Sequence, residues 1–146
     1  MKIYIASSWK NVAAVRKAAK ILRYRHRHSV DDFTDPSHGR FVFSYTEIDN
    51  YQHMDGIKFL KQPKAQRAFQ EDKKWIDWAD VVLLMLPSGR SAHLEAGYAA
   101  GRGKKLIIYG DFPAGEFDVM YGFADLCTRE LGIVLSQIDK WEDEQS

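Results

Sequence analysis

Asp80-Val81-Val82-Leu83-Leu84-Met85-Leu86 is the most hydrophobic stretch of the chain, and Pro87-Ser88-Gly89-Arg90-Ser91 follows it directly. An unbroken apolar run set between an aspartate and a proline is the pattern of a strand covered by helices on both faces of a parallel sheet. It falls far short of the roughly 20 apolar residues a bilayer span requires, so no membrane role is expected. Small residues fill the next segment, which reads as a helix from about Ala92 to Gly101. Lys105-Leu106-Ile107-Ile108-Tyr109 is a second buried strand, closed by Gly110-Asp111. On the upstream side Pro63, Ala65, Phe69, Trp75, Ile76 and Ala79 mark a helix that stops at Asp80.

The same alternation runs through the rest of the chain. Lys2 to Ala6 is a short β-rich segment, and Val12, Val15, Ala19 and Leu22 then recur at helical spacing with Lys and Arg between them. Ser29 to Phe33 reads as a strand, Asp35 to Gly39 as a turn, and Phe41 to Tyr45 alternates as an extended segment would. Phe117 to Phe123 suggests a short helix, Ala124 to Cys127 an edge strand, and Glu130 to Trp141 a last helix. Repeated strand and helix with right-handed crossovers specify an α/β protein, a doubly wound parallel sheet of about five strands in one domain spanning residues 1–146.

Composition narrows the function. Lys and Arg number 21 against 20 Asp and Glu, a net charge of +1, which argues against a dedicated binder of nucleic acid polymers or of membrane surfaces. With 45% hydrophobic and 13% aromatic residues the chain has ample material for a core. Its single cysteine, Cys127, forms no intrachain disulfide and rules out a zinc site built on paired cysteines. A reducing, cytoplasmic setting is expected, with no targeting segment at the N-terminus.

In a doubly wound sheet, ligands bind beyond the carboxyl ends of the strands, where loops run into helix N-termini. Two segments meet that description: Ala6-Ser7-Ser8-Trp9 and Pro87 to Glu95. The second places Ser88, Gly89, Arg90 and Ser91 ahead of a helix whose unpaired amides attract an anion. Ser91 as a plain N-cap and Glu95 as a first-turn carboxylate fit the spacing equally well. Ala96, Gly97, Ala99, Ala100 and Gly101 make this helix small-sided, which would let it approach the sheet and hold Glu95 near the strand ends. Asp72 stands on the preceding helix, and spacing does not reveal whether it reaches the same site.

Asp72-x3-Ile76-x2-Ala79-Asp80-Val81-Val82, a Gly-containing loop, Glu95-Ala96-Gly97-Tyr98-Ala99 and Gly103-Lys104 together resemble the signature of the nucleoside 2-deoxyribosyltransferase family and its nucleotide N-glycosidase relatives. Tyr4-Ile5-Ala6 resembles that family's opening strand. The resemblance implies a flavodoxin-like fold and a homo-oligomer, dimer or higher, with shared active sites. It also implies Glu95 as the nucleophile, and Asp72, by family position, as the acid that serves the departing base. The chemistry suits these residue types. A carboxylate beneath a sugar ring can stabilise oxocarbenium character and trap a glycosyl-enzyme, and neither a metal nor any other cofactor is required.

One departure is informative: Gly89 stands where transferases of the family commonly place an Asp, six residues before the nucleophile. The loop instead offers Ser88, Arg90 and Ser91, which resembles the serine-bearing loop with which the N-glycosidase relatives hold a 5′-phosphate. The expected activity is therefore cleavage or transfer of the N-glycosidic bond of a (deoxy)nucleoside or its 5′-monophosphate. Substrate contacts are expected from Tyr4, Ala6, Ser7, Trp9, Ser88, Gly89, Arg90, Ser91 and His93. The alternative is a catalytically inactive module on the same fold that binds or sequesters a nucleotide.

Other side chains carry weaker readings. His26 and His28 share a face, but a metal needs a third ligand at sensible spacing and none is evident, so no metal is expected. His93 is either a pocket residue or an exposed helix residue. The basic cluster of Arg16, Lys17, Lys20, Arg23, Arg25 and Arg27 reads as a solvated helix face. Trp75, Trp78 and Trp141 read as core or interface residues, whereas Trp9 is placed to contact a base or sugar. Cys127 has no neighbouring histidine and is no nucleophile, and neither a Walker loop nor a dinucleotide fingerprint is present.

Overall fold

In the computed structural model, which describes residues 1–146, the chain runs β1 (Lys2–Ala6), α1 (Val12–Tyr24), β2 (Ser29–Asp32), α2 (Gly56–Leu60), α3 (Pro63–Trp78), β3 (Val81–Met85), α4 (Arg90–Gly101), β4 (Lys105–Tyr109), β5 (Leu126–Thr128) and α5 (Leu131–Gln145). The five strands are all parallel and ordered β2-β1-β3-β4-β5. This is the flavodoxin-like order, in which the switch point lies between β1 and β3.

The period of two along each strand divides the core. Ile3, Ile5, Val81, Leu83, Met85 and Ile107 face one side of the sheet and pack under α1 and α5. Tyr4, Ala6, Val82, Leu84, Leu106 and Ile108 face the other side, under α3 and α4. All five residues of β3 are buried, which is why that segment carries no polar residue. Each fully buried aliphatic side chain here contributes about 1.5–3 kcal/mol relative to exposure.

α4 approaches the sheet through Ala92, Ala96 and Ala99, all at most 4% exposed. The glycines are not part of that contact: a Cβ at Gly97 or Gly101 would meet nothing within 4 Å. The close approach therefore comes from an alanine stripe, while both glycines lie on the outer face, contrary to the reading of one small-sided helix. Gly110 is required by contact, because a Cβ there would sit 2.5 Å from Leu86 Cβ at the point where β3 turns into its loop.

Three expected boundaries change. Phe41 to Tyr45 joins no sheet: it leads into a 3-10 turn at Tyr45–Glu47, and its alternating aromatics pack on one another. The segment after β4 forms a 3-10 turn, Val119–Phe123, ahead of an edge strand shifted to Leu126–Thr128. α4 starts at Arg90 with Gly89 as N-cap, so Ser91 lies inside the first turn and caps nothing. No helix is long and apolar enough to cross a membrane.

Candidate active site

Tyr4 stands on β1 with its ring buried, and its hydroxyl reaches across to donate a hydrogen bond to Glu95 Oε2 on α4. This contact sits beside the β1/β3 switch point, where the fold places ligands. Asp72, on α3, and Glu95 line the same cleft of about 1070 Å³. Burial pushes the Glu95 carboxyl up to about 8, the Asp72 charge adds to this, and the Tyr4 hydroxyl and the Arg40 guanidinium act in the opposite direction. Asp72 is also raised, chiefly by burial, with Arg40 again opposing. Both carboxyls therefore favour the protonated form more than exposed carboxyls do.

The charge that stabilises this pair is Arg40, which sequence reasoning missed. Its side chain is 2% exposed and its donors are committed: Nη2 to Asp72 Oδ1 at 2.8 Å, Nε to Asp31 Oδ1 at 3.2 Å and Nη1 to the Phe41 carbonyl at 3.1 Å. Asp31, on β2 beside Tyr4, also accepts from His38 Nε2 at 3.0 Å. Burial raises the Asp31 carboxyl, and the arginine and His38 oppose this. Arg40 therefore fastens the segment after β2 to α3 while fixing the orientation of the Asp72 carboxylate.

That segment forms one wall of the cleft. Phe43 and Tyr45 pack edge to face with ring centroids 5.8 Å apart, and Tyr45 meets Phe59 at 5.4 Å in the same manner. Phe41 lies under the Arg67 guanidinium at 3.9 Å, and its backbone N–H donates to Glu71 Oε1 at 2.9 Å. Tyr45 Oη and Ser91 Oγ share a hydrogen bond at 3.1 Å, which closes the wall onto the first turn of α4. The alternation from Phe41 to Tyr45 was the only trace of this wall in the sequence, and it pointed to a strand.

The expected contacts divide into three groups. Tyr4, Asp72, Ser91 and Glu95 converge on the main cleft or its floor. Ser88, Gly89, Arg90 and His93 line a neighbouring cleft of about 860 Å³ with Phe112 and Tyr121. There His93 bonds the Gly89 carbonyl at 2.8 Å and the Tyr121 hydroxyl at 3.0 Å, its ring stacked on Tyr121. Ser88 Oγ is buried without a hydrogen-bond partner at the mouth of α4, beside a first turn that no side chain caps.

The third group serves the scaffold. Ala6 is buried in the core, and Ser7 Oγ donates to the Met85 carbonyl at 2.8 Å while accepting from Asn11 Nδ2 at 3.2 Å, tying the ends of β1 and β3 together. Trp9 donates its indole N–H to the Phe43 carbonyl at 3.1 Å and packs edge to face on Phe33, so it braces the aromatic wall from behind. Two members of the basic helix face are likewise engaged within the chain, Arg16 with Thr34 Oγ1 at 3.1 Å and Arg23 with the Val30 carbonyl at 2.8 Å.

The architecture is that of a flavodoxin-like α/β protein with a paired-carboxylate cleft at its switch point. No family model matches the sequence, and no curated protein matches it. Solved structures share its fold. A 2-deoxyribosyltransferase from Bacillus psychrosaccharolyticus superposes with a TM-score of 0.64 at 19% identity, over 92% of this chain and 90% of that one. A CMP N-glycosidase from Clostridium botulinum does so with a TM-score of 0.57 at 14% identity, over 95% of this chain and 99% of that one.

Proposed function

We propose that the protein is an enzyme that cleaves or transfers the N-glycosidic bond of a nucleoside or its 5′-monophosphate, with Glu95 as nucleophile. The observation that carries this reading is the Glu95 carboxyl held by the buried Tyr4 hydroxyl and facing the same cleft as Asp72. The named activities of the two solved structures that share the fold, deoxyribosyl transfer and CMP N-glycoside cleavage, support it.

In this mechanism Glu95, as carboxylate, attacks C1′ of the sugar while the N-glycosidic electron pair leaves with the base. Asp72, in its protonated form, gives its proton to the departing base nitrogen, so the base leaves neutral. Water, or a second base, then attacks C1′ from the side opposite Glu95, gives its proton to the Asp72 carboxylate and releases Glu95. Tyr4 orients the nucleophile and Arg40 orients the acid. The aromatic wall of Phe43, Tyr45 and Phe59 supplies apolar surface against which a base packs. In this reading a 5′-phosphate sits at the α4 N-terminus, where Ser88, Gly89 and Arg90 line the neighbouring cleft. Sites completed by a neighbouring copy, which the family resemblance implies, belong to this reading.

The test is a panel of nucleosides and 5′-monophosphates, with and without a second base, followed by chromatography for free base and exchanged product. Release of base from at least one member supports the enzyme. Tight binding with no release from any member replaces it with a nucleotide-sequestering module.

A further inference from the structure

We propose that His26, His28 and Asp139 form a binding site for a divalent transition-metal ion of the zinc class, on the sheet face opposite the cleft. The donors come from two distant parts of the chain, the end of α1 and the middle of α5. α1 ends by folding back, with His26 N–H donating to the Ile21 carbonyl and His28 N–H to the Leu22 carbonyl, and Arg27 between them takes a positive φ of 60°. This turn directs both imidazoles at α5, whose Ile138 packs in the core under α1. There Asp139 meets them with one oxygen each: His26 Nδ1 lies 2.7 Å from Oδ2 and His28 Nε2 lies 2.9 Å from Oδ1. The three ligand atoms all lie within 4.8 Å of one another.

The donor set decides the class of ion. Two imidazole nitrogens and one carboxylate suit zinc and its neighbours, whereas magnesium and calcium select oxygen ligands. Tetrahedral metal bonds of roughly 2.0–2.1 Å set ligand atoms about 3.3 Å apart, so the two imidazole contacts to Asp139 must open to admit the ion, a movement open to the two partly exposed members, His26 at 25% and Asp139 at 40%. The same exposure gives the ion an entry path and leaves room for water to complete its coordination. The third member, His28, has a side chain that is 0% exposed and is held from behind. Its Nδ1 now accepts from the Met1 ammonium at 3.1 Å and lies 3.4 Å from Glu142 Oε2, which holds the same ammonium through Oε1 at 2.8 Å; with a metal on Nε2 the ring proton moves to Nδ1 and turns to that carboxylate. A carboxylate behind the ligating imidazole fixes its tautomer and raises its basicity. Binding replaces the contacts that the two ring nitrogens now make to Asp139 with bonds to the ion.

The experiment is calorimetric titration of the chelator-stripped, folded protein with zinc chloride, repeated with cobalt(II) followed by its visible absorption. One saturable site per chain is expected, with a zinc-dependent rise in melting temperature. His26→Ala and Asp139→Asn, both at partly exposed positions, are each expected to abolish that site. Glu142→Gln should weaken it by about 10- to 100-fold, the usual cost of losing the group behind a ligating imidazole. His53→Ala, a histidine outside the cluster, is expected to bind as the wild type does. Absence of saturable uptake by the folded wild-type protein overturns the proposal. So does uptake that His26→Ala and Asp139→Asn leave unchanged.

Discussion

Glu95 carries opposite demands of stability and chemistry. The folded protein holds its proton up to about 8, whereas the unfolded chain releases it in the ordinary carboxylate range. Between those limits the folded state binds more protons than the unfolded one, so stability falls as pH rises through the window. Glu95→Gln has no proton to lose there. Its melting temperature should pull ahead of the wild type's between pH 5 and pH 8, by at most about 1.4 kcal/mol of stability per pH unit. Parallel melting curves across that range would remove the burial argument. Turnover depends on the other carboxyl: Asp72 must keep its proton to serve the base, so kcat/KM should fall on the alkaline side as that raised carboxyl loses it. Arg40 opposes the raised values of both carboxyls, so Arg40→Met should move that limb to higher pH and Arg40→Lys should return it toward the wild-type position. A limb that stays fixed in Arg40→Met would show that the arginine serves only the fold.

Among the elements, the sheet was legible because its signal is local. Val81 to Leu86 and Lys105 to Tyr109 are apolar runs bounded by polar residues, and two covered faces are what such runs report. Glu95 and the α4 N-terminus followed from the rule that places ligands at strand ends. The Asp31, Arg40 and Asp72 network was not legible, because a buried arginine is recognisable only by carboxylates that the fold brings to it, one from β2 and one from α3. His26 and His28 failed in the same way: their third partner lies 111 or more residues along the chain, beyond any spacing rule. The aromatic wall misled for another reason, since alternating Phe and Tyr have the period of a strand whether or not a neighbour pairs with them. The α4 N-terminus has its own test. Arg90→Ala should weaken a 5′-monophosphate by on the order of tenfold, the worth of a charge-assisted hydrogen bond, and leave the parent nucleoside almost unchanged. Titration of both ligands into both proteins gives the coupling between Arg90 and the phosphate. Equal loss for the two ligands would place the phosphate elsewhere.

At the scale of the molecule, the two sheet faces divide the work. One carries α3, α4 and the cleft, while the other carries α1, α5 and the histidine cluster, and the strands lie between them. Large apolar side chains remain exposed around the cleft, including Leu60 at 67%, Phe69 at 62% and Leu94 at 75%. Patches of this kind mark surfaces that a partner covers, and a second copy of this chain would bury them while closing the open side of the cleft. Light scattering should therefore give at least a dimer at micromolar concentration, and Leu94→Glu should shift it toward monomer with a parallel loss of turnover. An active monomer would show that each site is complete in one chain.

The central claim is that Glu95 forms a bond to the sugar. Its most direct measurement is mass spectrometry of protein quenched during turnover of whichever panel member releases base, with the labelled peptide sequenced. A mass increase of one sugar or sugar phosphate is expected on the peptide carrying Glu95, absent from Glu95→Gln, together with a loss of base release by several orders of magnitude in that variant. Base release that persists at a near-normal rate in folded Glu95→Gln, or an adduct carried by any other residue, would contradict it.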